Sequence, residues 1–229
     1  ASHTKSLSHG GADRNSPSLL YSPAVAHLID IPDSTFVTLR RSGVQVTGVE
    51  PDSVAEAMGL EAGDRLLRVN EHRLRDVLDW RFHAGGETEL TVAVEKHTGE
   101  LWELDVEIDE GDDWGLEFET MMPRQCANDC IFCFIKQNPE GSRRSLFIKD
   151  EDIRLSFLHG NYTTMTNLTE REFERIVEQR LSPQYVSVHA TDPELRRYML
   201  GRQRPDDIVA TVRRLTDAGI EVHAQIVLC

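Results

Sequence analysis

Positive charge is in short supply in this chain. Of 229 residues, 25 are Lys or Arg against 39 Asp or Glu, a net charge of −14 with histidine neutral. A surface this negative repels nucleic-acid phosphates and anionic lipid headgroups, so neither is expected as a partner. No run of about 18 apolar residues is present and the N-terminus carries no apolar signal core. Both argue against a membrane span or secretory leader and for a cytoplasmic setting. Cysteine is scarce too: the four in the chain are too few and too unevenly placed for the disulfide scaffold of a small secreted domain. What is there suffices for a core. With 39% hydrophobic and 28% charged residues the composition is that of a folded protein, and the length is about one and a half average domains.

Residues 1–22 are polar, rich in Ser, Gly and His and without a sustained period. They read as a disordered lead-in or as the remnant of a tag or linker. From 23 to 108 the pattern is one of short strands and turns. Val44, Val46 and Val49 mark a strand, and Ser53 stands where it can cap a short helix carrying Val54, Ala55 and Met58, with Gly59 to end it. Gly63-Asp64 is a turn signal before the strand Leu66–Asn70, and Leu74, Val77, Leu78 and Trp80 recur at helical spacing. Alternation from Leu90 to Val94, then a second apolar set from Leu101 to Ile108, joined by the turn 96–100, predicts a hairpin. The stretches Gly43–Val46, Val49–Ala55 and above all Gly59–Asn70 closely resemble a PDZ domain. That resemblance implies a peptide or protein partner held by adding a strand to an exposed sheet edge. It places Arg41, Ser42 and Gly43 at the carboxylate-binding loop and Val44, Gln45 and Val46 on the groove edge. A docking or spacer module that binds no free peptide fits the same residues.

An acidic link, 109–114, separates this region from 115–229, where strands and helices alternate. Gly115–Thr120 reads as a strand leading to the motif Cys126-Ala-Asn-Asp-Cys130-Ile-Phe-Cys133. In a reducing compartment such clustered thiols point to a metal or cluster site. Three thiolates so close can hold three corners of an iron–sulfur cube and leave one iron open to another ligand, as a substrate-activating cluster requires. A structural zinc site wants four protein ligands, and the nearest further donors, His159 and Cys229, would have to fold back from well downstream. The C-x3-C-x2-C spacing, with Asn128, Phe132 and Phe134-Ile135, resembles the cluster loop of the radical S-adenosylmethionine superfamily. The resemblance implies a [4Fe-4S] cluster on Cys126, Cys130 and Cys133, with S-adenosyl-L-methionine on the fourth iron and an electron donor to start the chemistry. It names no catalytic side chain.

Further along, Arg154–His159 reads as a second strand and Tyr185–Ala190 as a third. Thr169/Glu172 and Thr191/Glu194 have capping-box spacing, a helix follows Pro205, and Ile220–Leu228 reads as a fourth strand. The expected fold class is therefore α/β plus a small mainly-β domain: a PDZ-like module followed by the first part of a partial (β/α) barrel. By the superfamily resemblance, Gly160 and Asn161 stand at the end of the second strand where the cofactor's amino group is met, though without the second Gly and the Glu of that motif. Ser187 and His189 match polar strand positions near the cofactor's ribose or carboxylate, with a satisfied core histidine as the alternative for His189. The order of PDZ-like module and cysteine loop resembles a bacterial family of PDZ-containing radical proteins with a further C-terminal domain. Cys126 to Cys229 spans 104 residues where a full barrel takes roughly 250, so the chain is expected to be an incomplete enzyme with about four barrel strands. Two other readings stay open: a zinc-stabilised peptide-binding adaptor, and a non-catalytic iron–sulfur sensor.

Overall fold

The computed structural model describes residues 43–109 and 112–229, together with the backbone of 26–28. The lead-in 1–22 and the expected peptide-loop residues Arg41 and Ser42 lie outside the described residues. The chain divides into two compact units, 1–119 and 120–229. No helix among the described residues is long and apolar enough to cross a membrane.

The first unit is built on an antiparallel sheet. In chain order its elements are β1 (Ala26–Leu28), β2 (Val44–Val49), α1 (Val54–Ala57), β3 (Arg65–Val69), β4 (His72–Arg73), α2 (Val77–Ala84), β5 (Glu89–Glu95), β6 (Leu101–Glu107) and β7 (Leu116–Phe118). The strands run β1-β6-β5-β3-β2-β7, with β4 paired to β3. Local chemistry accounts for the elements the sequence predicts. Ser53 Oγ accepts the Glu56 N–H at 3.2 Å, while the Glu56 carboxylate accepts the Asp52 N–H at 2.7 Å, so α1 starts with its first donors satisfied. Asp76 caps α2 in the same way, accepting from Leu78 and Asp79. Val46, Leu60, Leu66 and Val69 are buried in one core with Trp80, Val92 and Leu104. Each such side chain taken out of water contributes about 2 kcal/mol.

The first correction concerns the edge of β2. Val44–Val46 was expected to lie open, yet β2 is an interior strand, paired to β3 on one side and to β7 on the other through Val46↔Phe118, Gly48↔Glu117 and Val49↔Leu116. Glu119 completes the seam: its N–H donates to the Gln45 carbonyl at 3.0 Å and its carboxylate accepts the Gln45 N–H at 3.3 Å. The segment is firmly seated. Trp114 is buried edge-on to Trp80, with ring centroids 5.0 Å apart, and its carbonyl accepts the Ala55 N–H at 3.0 Å. A peptide adding a strand at Gln45–Val49 would first have to displace β7. The same finding corrects the 115–120 strand, which serves the antiparallel sheet and not a parallel one.

The second unit holds α3 (Ile153–His159), α4 (Glu170–Glu178), β8 (Gln184–Ser187), α5 (Pro193–Met199), α6 (Ile208–Asp217) and β9 (Val222–Gln225). Residues 154–159, expected as a strand, form α3. The Leu-Ser-Phe alternation suggests period two, but Asp152 accepts the Arg154 N–H at 3.0 Å and Gly160 closes the helix at φ 72°. The strand position falls one turn later, where Thr163 bridges Val186 in parallel. The Thr169/Glu172 capping box forms as predicted, whereas α5 is capped by Asp192, not Thr191, with Pro193 at its start. β8 and β9 pair in parallel from Gln184↔Val222 to Ser187↔Gln225. Among the described residues the parallel sheet is these two strands with the Thr163 bridge, not the four strands of an opening barrel. Ile176, Val186, Leu200, Ile208, Leu215 and Ile220 are buried in this unit.

A buried ion pair makes the first unit acid-sensitive. Asp64 is 0% and Lys96 4% exposed, with Nζ 2.6 Å from Oδ2 and 2.6 Å from the Gly59 carbonyl. Burial opposes ionisation of Asp64, but Lys96 and the N–H groups of His97 and Glu61 outweigh it and hold the pKa below the usual carboxylate value. A depressed carboxylate stabilises the fold above its unfolded pKa of about 3.9, and that stability is lost as pH falls through the folded value. In acid titrations followed by circular dichroism, Asp64→Asn is expected to lower stability at pH 7 by roughly 3 kcal/mol by stranding Lys96. The variant should also flatten the acid transition below about pH 4. An unchanged acid transition would show that Asp64 does not drive it.

Candidate metal centre

The cysteine loop is braced at both ends. Before it, Gln125 bridges Asp150 in antiparallel fashion, the Cys126 N–H donates to the Lys149 carbonyl at 2.8 Å, and the Glu151 N–H donates to the Arg124 carbonyl at 2.8 Å. Beyond it, the Asp129 and Ile131 N–H groups each reach, at 3.0 Å, the carbonyls of Leu200 and Met199. Those carbonyls are orphans at the C-terminal end of α5, so the loop serves as the cap of the helix. The approach is close enough to demand glycine at 201, where a Cβ would sit 2.2 Å from the Asp129 carbonyl oxygen.

Asn128 holds the middle. Its side chain is buried and meets the hydroxyls of Thr164 at 2.8 Å and Thr166 at 3.1 Å, while Arg202 donates to its Oδ1 at 3.0 Å. Lys149 Nζ donates to its carbonyl at 2.8 Å. Thr164 in turn donates to the buried Glu151 carboxyl at 2.8 Å, and Glu151 is hydrogen-bonded to Cys126. Burial raises the pKa of Glu151 above the ordinary carboxyl value despite these bonds.

The thiols are half-buried and free. Burial, followed by the charges of Cys126 and Cys133, pushes Cys130 up to about 11. Burial raises Cys126 as well, against a favourable N–H from Asn128. Cys126 and Cys130, which disfavour their own anions, suit a cationic centre, which deprotonates its ligands on binding. Tetrahedral zinc, with Zn–S bonds of about 2.3 Å, would draw the sulfurs within about 4 Å of one another. Among the described residues the one metal-competent group with all ligand atoms within 4.8 Å is Glu61, Asp64 and His97, and there the Lys96 ammonium already supplies the positive charge.

The expected cofactor residues divide into two groups. Gly160 caps α3 against the Tyr185 ring, and Asn161 donates to Asp150 at 3.0 Å, so Asn161 braces the segment paired with Gln125. Ser187 and His189 lie together at the end of β8. Ser187 Oγ is 3.5 Å from Gln225 Oε1, and His189 Nδ1 accepts the Val227 N–H at 3.3 Å, leaving the hydrogen on Nε2. Burial, then the charge of Arg196, lowers the His189 pKa to about 4, so the ring is neutral. It also packs edge-on to Phe132 of the cysteine loop, with centroids 4.5 Å apart. No hydrogen bond joins the two groups among the described residues. The sequence reading missed Glu151, Thr164, Thr166, Arg196 and Arg202. The Thr163–Thr166 run was a usable signal, whereas nothing local marks Arg196 as buried.

Asn128→Ala removes the amide that bonds Thr164, Thr166 and Arg202 and leaves Arg202 Nη1 without this acceptor. It is expected to lower the stability of the second unit by about 2 kcal/mol. Alkylation of Cys126 and Cys130, followed by mass spectrometry, should also be faster. Unaltered alkylation rates would show that the loop keeps its shape without this side chain.

The Radical SAM-like domain family matches residues 108–229 and the PDZ domain family matches residues 45–94. No curated protein matches the chain. The first match takes in more than half of the sequence and the whole cysteine loop; the chain belongs to the Radical SAM-like domain family, with a PDZ domain ahead of it.

Proposed function

We propose that the chain is an iron–sulfur radical enzyme whose Cys126, Cys130 and Cys133 hold a [4Fe-4S] cluster with one iron left for S-adenosyl-L-methionine. The carrying observation is the three-thiol loop, braced at both ends and lying inside the family match. When bound, the pair supplies one-electron chemistry that opens the sulfonium to a 5′-deoxyadenosyl radical. The chain's own part is to position. Asn128 and Lys149 hold the loop's shape, Phe132 packs on His189, and the neutral His189 offers an Nε2–H donor at the end of β8. Ser187, beside it, presents its hydroxyl. Gly160 and Asn161 support the loop from the α3 side. The PDZ domain docks a protein partner, by a surface other than the β2 edge that β7 occupies. A reducing cytoplasm is the setting that keeps such thiols free.

Anaerobic reconstitution of the full chain is expected to yield iron and acid-labile sulfide in equal amounts. A reduced-state EPR signal should follow, altered by S-adenosyl-L-methionine and lost in Cys130→Ala. Stoichiometric zinc without sulfide would favour the adaptor, and a cluster indifferent to S-adenosyl-L-methionine would favour the sensor. Isothermal titration with C-terminal peptides is expected to give no heat, because the strand-adding edge is filled. Binding that displaces β7, seen as loss of hydrogen-exchange protection at 116–119, would overturn that part.

A further inference from the structure

We infer that a cavity at the C-terminal end of α2, in the first unit, takes an arginine side chain of a protein partner; its use in docking rests on the partner role given above to the PDZ domain. The cavity holds about 230 Å³. That is below the roughly 300–1,000 Å³ of small-molecule sites, so it suits one inserted side chain better than a whole ligand. Its walls are fixed from three directions. Trp80 comes from α2, Ile108 follows β6 and Trp114 precedes β7. The Ile108 N–H donates to the Thr88 carbonyl at 2.9 Å, and the Trp114 carbonyl accepts the Ala55 N–H. The indoles of Trp80 and Trp114 meet edge-on there. Two adjacent indoles offer apolar contact and π faces, on which a planar guanidinium packs better than a hydrated ammonium. The cavity is present while β7 is paired to β2, so its occupant does not need that strand to leave.

The charge around the cavity selects a cation. Glu87, Asp109, Asp112 and Asp113 line it and are exposed, against Arg81 as the one basic lining residue among those described. The flanking sequence adds to this sign: Glu107–Glu119 contains seven acidic residues and no basic one. Ala84, Gly85 and Gly86 form the side nearest the helix end, where the last carbonyls of α2 contribute further partial negative charge. A carboxylate can take a guanidinium through two parallel N–H···O bonds, which fixes its orientation as well as its charge. An acidic side chain would be repelled at the same place. The net charge of −14 draws a basic partner from a distance, and the cavity then holds one of its arginines.

The test uses the full chain labelled with nitrogen-15 and a capped peptide, acetyl-Gly-Arg-Gly-amide, which has no terminal carboxylate for a PDZ loop to catch. Titration at low salt is followed by NMR on the three tryptophan indole N–H signals. Those of Trp80 and Trp114 are expected to shift, whereas Trp102, which lies against Lys96, should stay in place. Citrulline in place of the arginine keeps the shape and loses the charge, and is expected to weaken binding about tenfold. Asp109→Asn/Asp113→Asn should weaken the arginine peptide to a similar degree. Glu71→Gln/Glu100→Gln removes two exposed charges that do not line the cavity and should bind as the wild type does. All four positions are exposed, and circular dichroism checks that each variant keeps its fold. Equal binding of the arginine and citrulline peptides, equal weakening by the two double variants, or no shift of Trp80 and Trp114 would overturn the site. So would a Trp102 shift as large as theirs. Binding that costs hydrogen-exchange protection at 116–119 would put the peptide on β2, and would overturn the cavity together with the filled-edge reading. None of these readouts needs a cluster, so the radical reading can fail without deciding this one.

Discussion

One buried guanidinium organises the second unit. Arg196 is 0% exposed, and its head donates to the carbonyls of Ser187 at 2.8 Å, Val188, and Thr164 at 2.6 Å, with Nε on the Asp206 carboxylate at 3.1 Å. A charge so deep is tolerable only when its donors are met, and those acceptors are the loose ends of the Thr163 bridge and of β8. The backbone there is committed to a geometry that ladder bonds alone do not enforce. Its charge also reaches His189, which turns out of the strand at φ 60° and stays neutral. The position of Phe132, and with it one flank of the cysteine loop, follows from that turn.

The cysteine loop itself works by exchange of unsatisfied groups. The end of α5 has carbonyls without partners, the loop has N–H groups without partners, and Gly201 lets the two backbones meet. Asn128 then fills the interior with an amide that neither water nor an apolar side chain would replace. Burial, then the neighbouring cysteines, keep the Cys130 thiol protonated, and a cationic centre would deprotonate it on binding.

In the first unit the same principle closes a surface in place of opening one. β2 has two edges and both are used, by β3 and by β7. Trp114 and Phe118 bring apolar area to that seam, so burial holds β7 where hydrogen bonding alone would leave three residues marginal. The β2 edge that was expected to add a peptide strand is thus taken by the chain itself.

What the sequence alone determined are the features written in neighbours. Ser53 with Glu56, Thr169 with Glu172, the hairpin around Gly99 and the spacing of Cys126, Cys130 and Cys133 all act within a few residues, and all could be read before any fold was known. The PDZ core positions Val46, Leu60, Leu66 and Val69 were legible for the same reason. Other features came only with tertiary structure. Leu155 and Phe157 alternate like strand residues, and only Asp152 and Gly160 at the two ends decide for a helix. Leu116–Phe118 is a strand in either reading, but which sheet takes it depends on Trp114 meeting Trp80. Asn161 looks free to meet a ligand until Asp150, eleven residues away, claims it. Arg196 looks like any surface arginine of a short helix until three carbonyls converge on it. Local rules govern whether a backbone turns or extends, whereas burial and the pairing of polar groups are settled by residues far apart in the chain, and those meet only once it has folded.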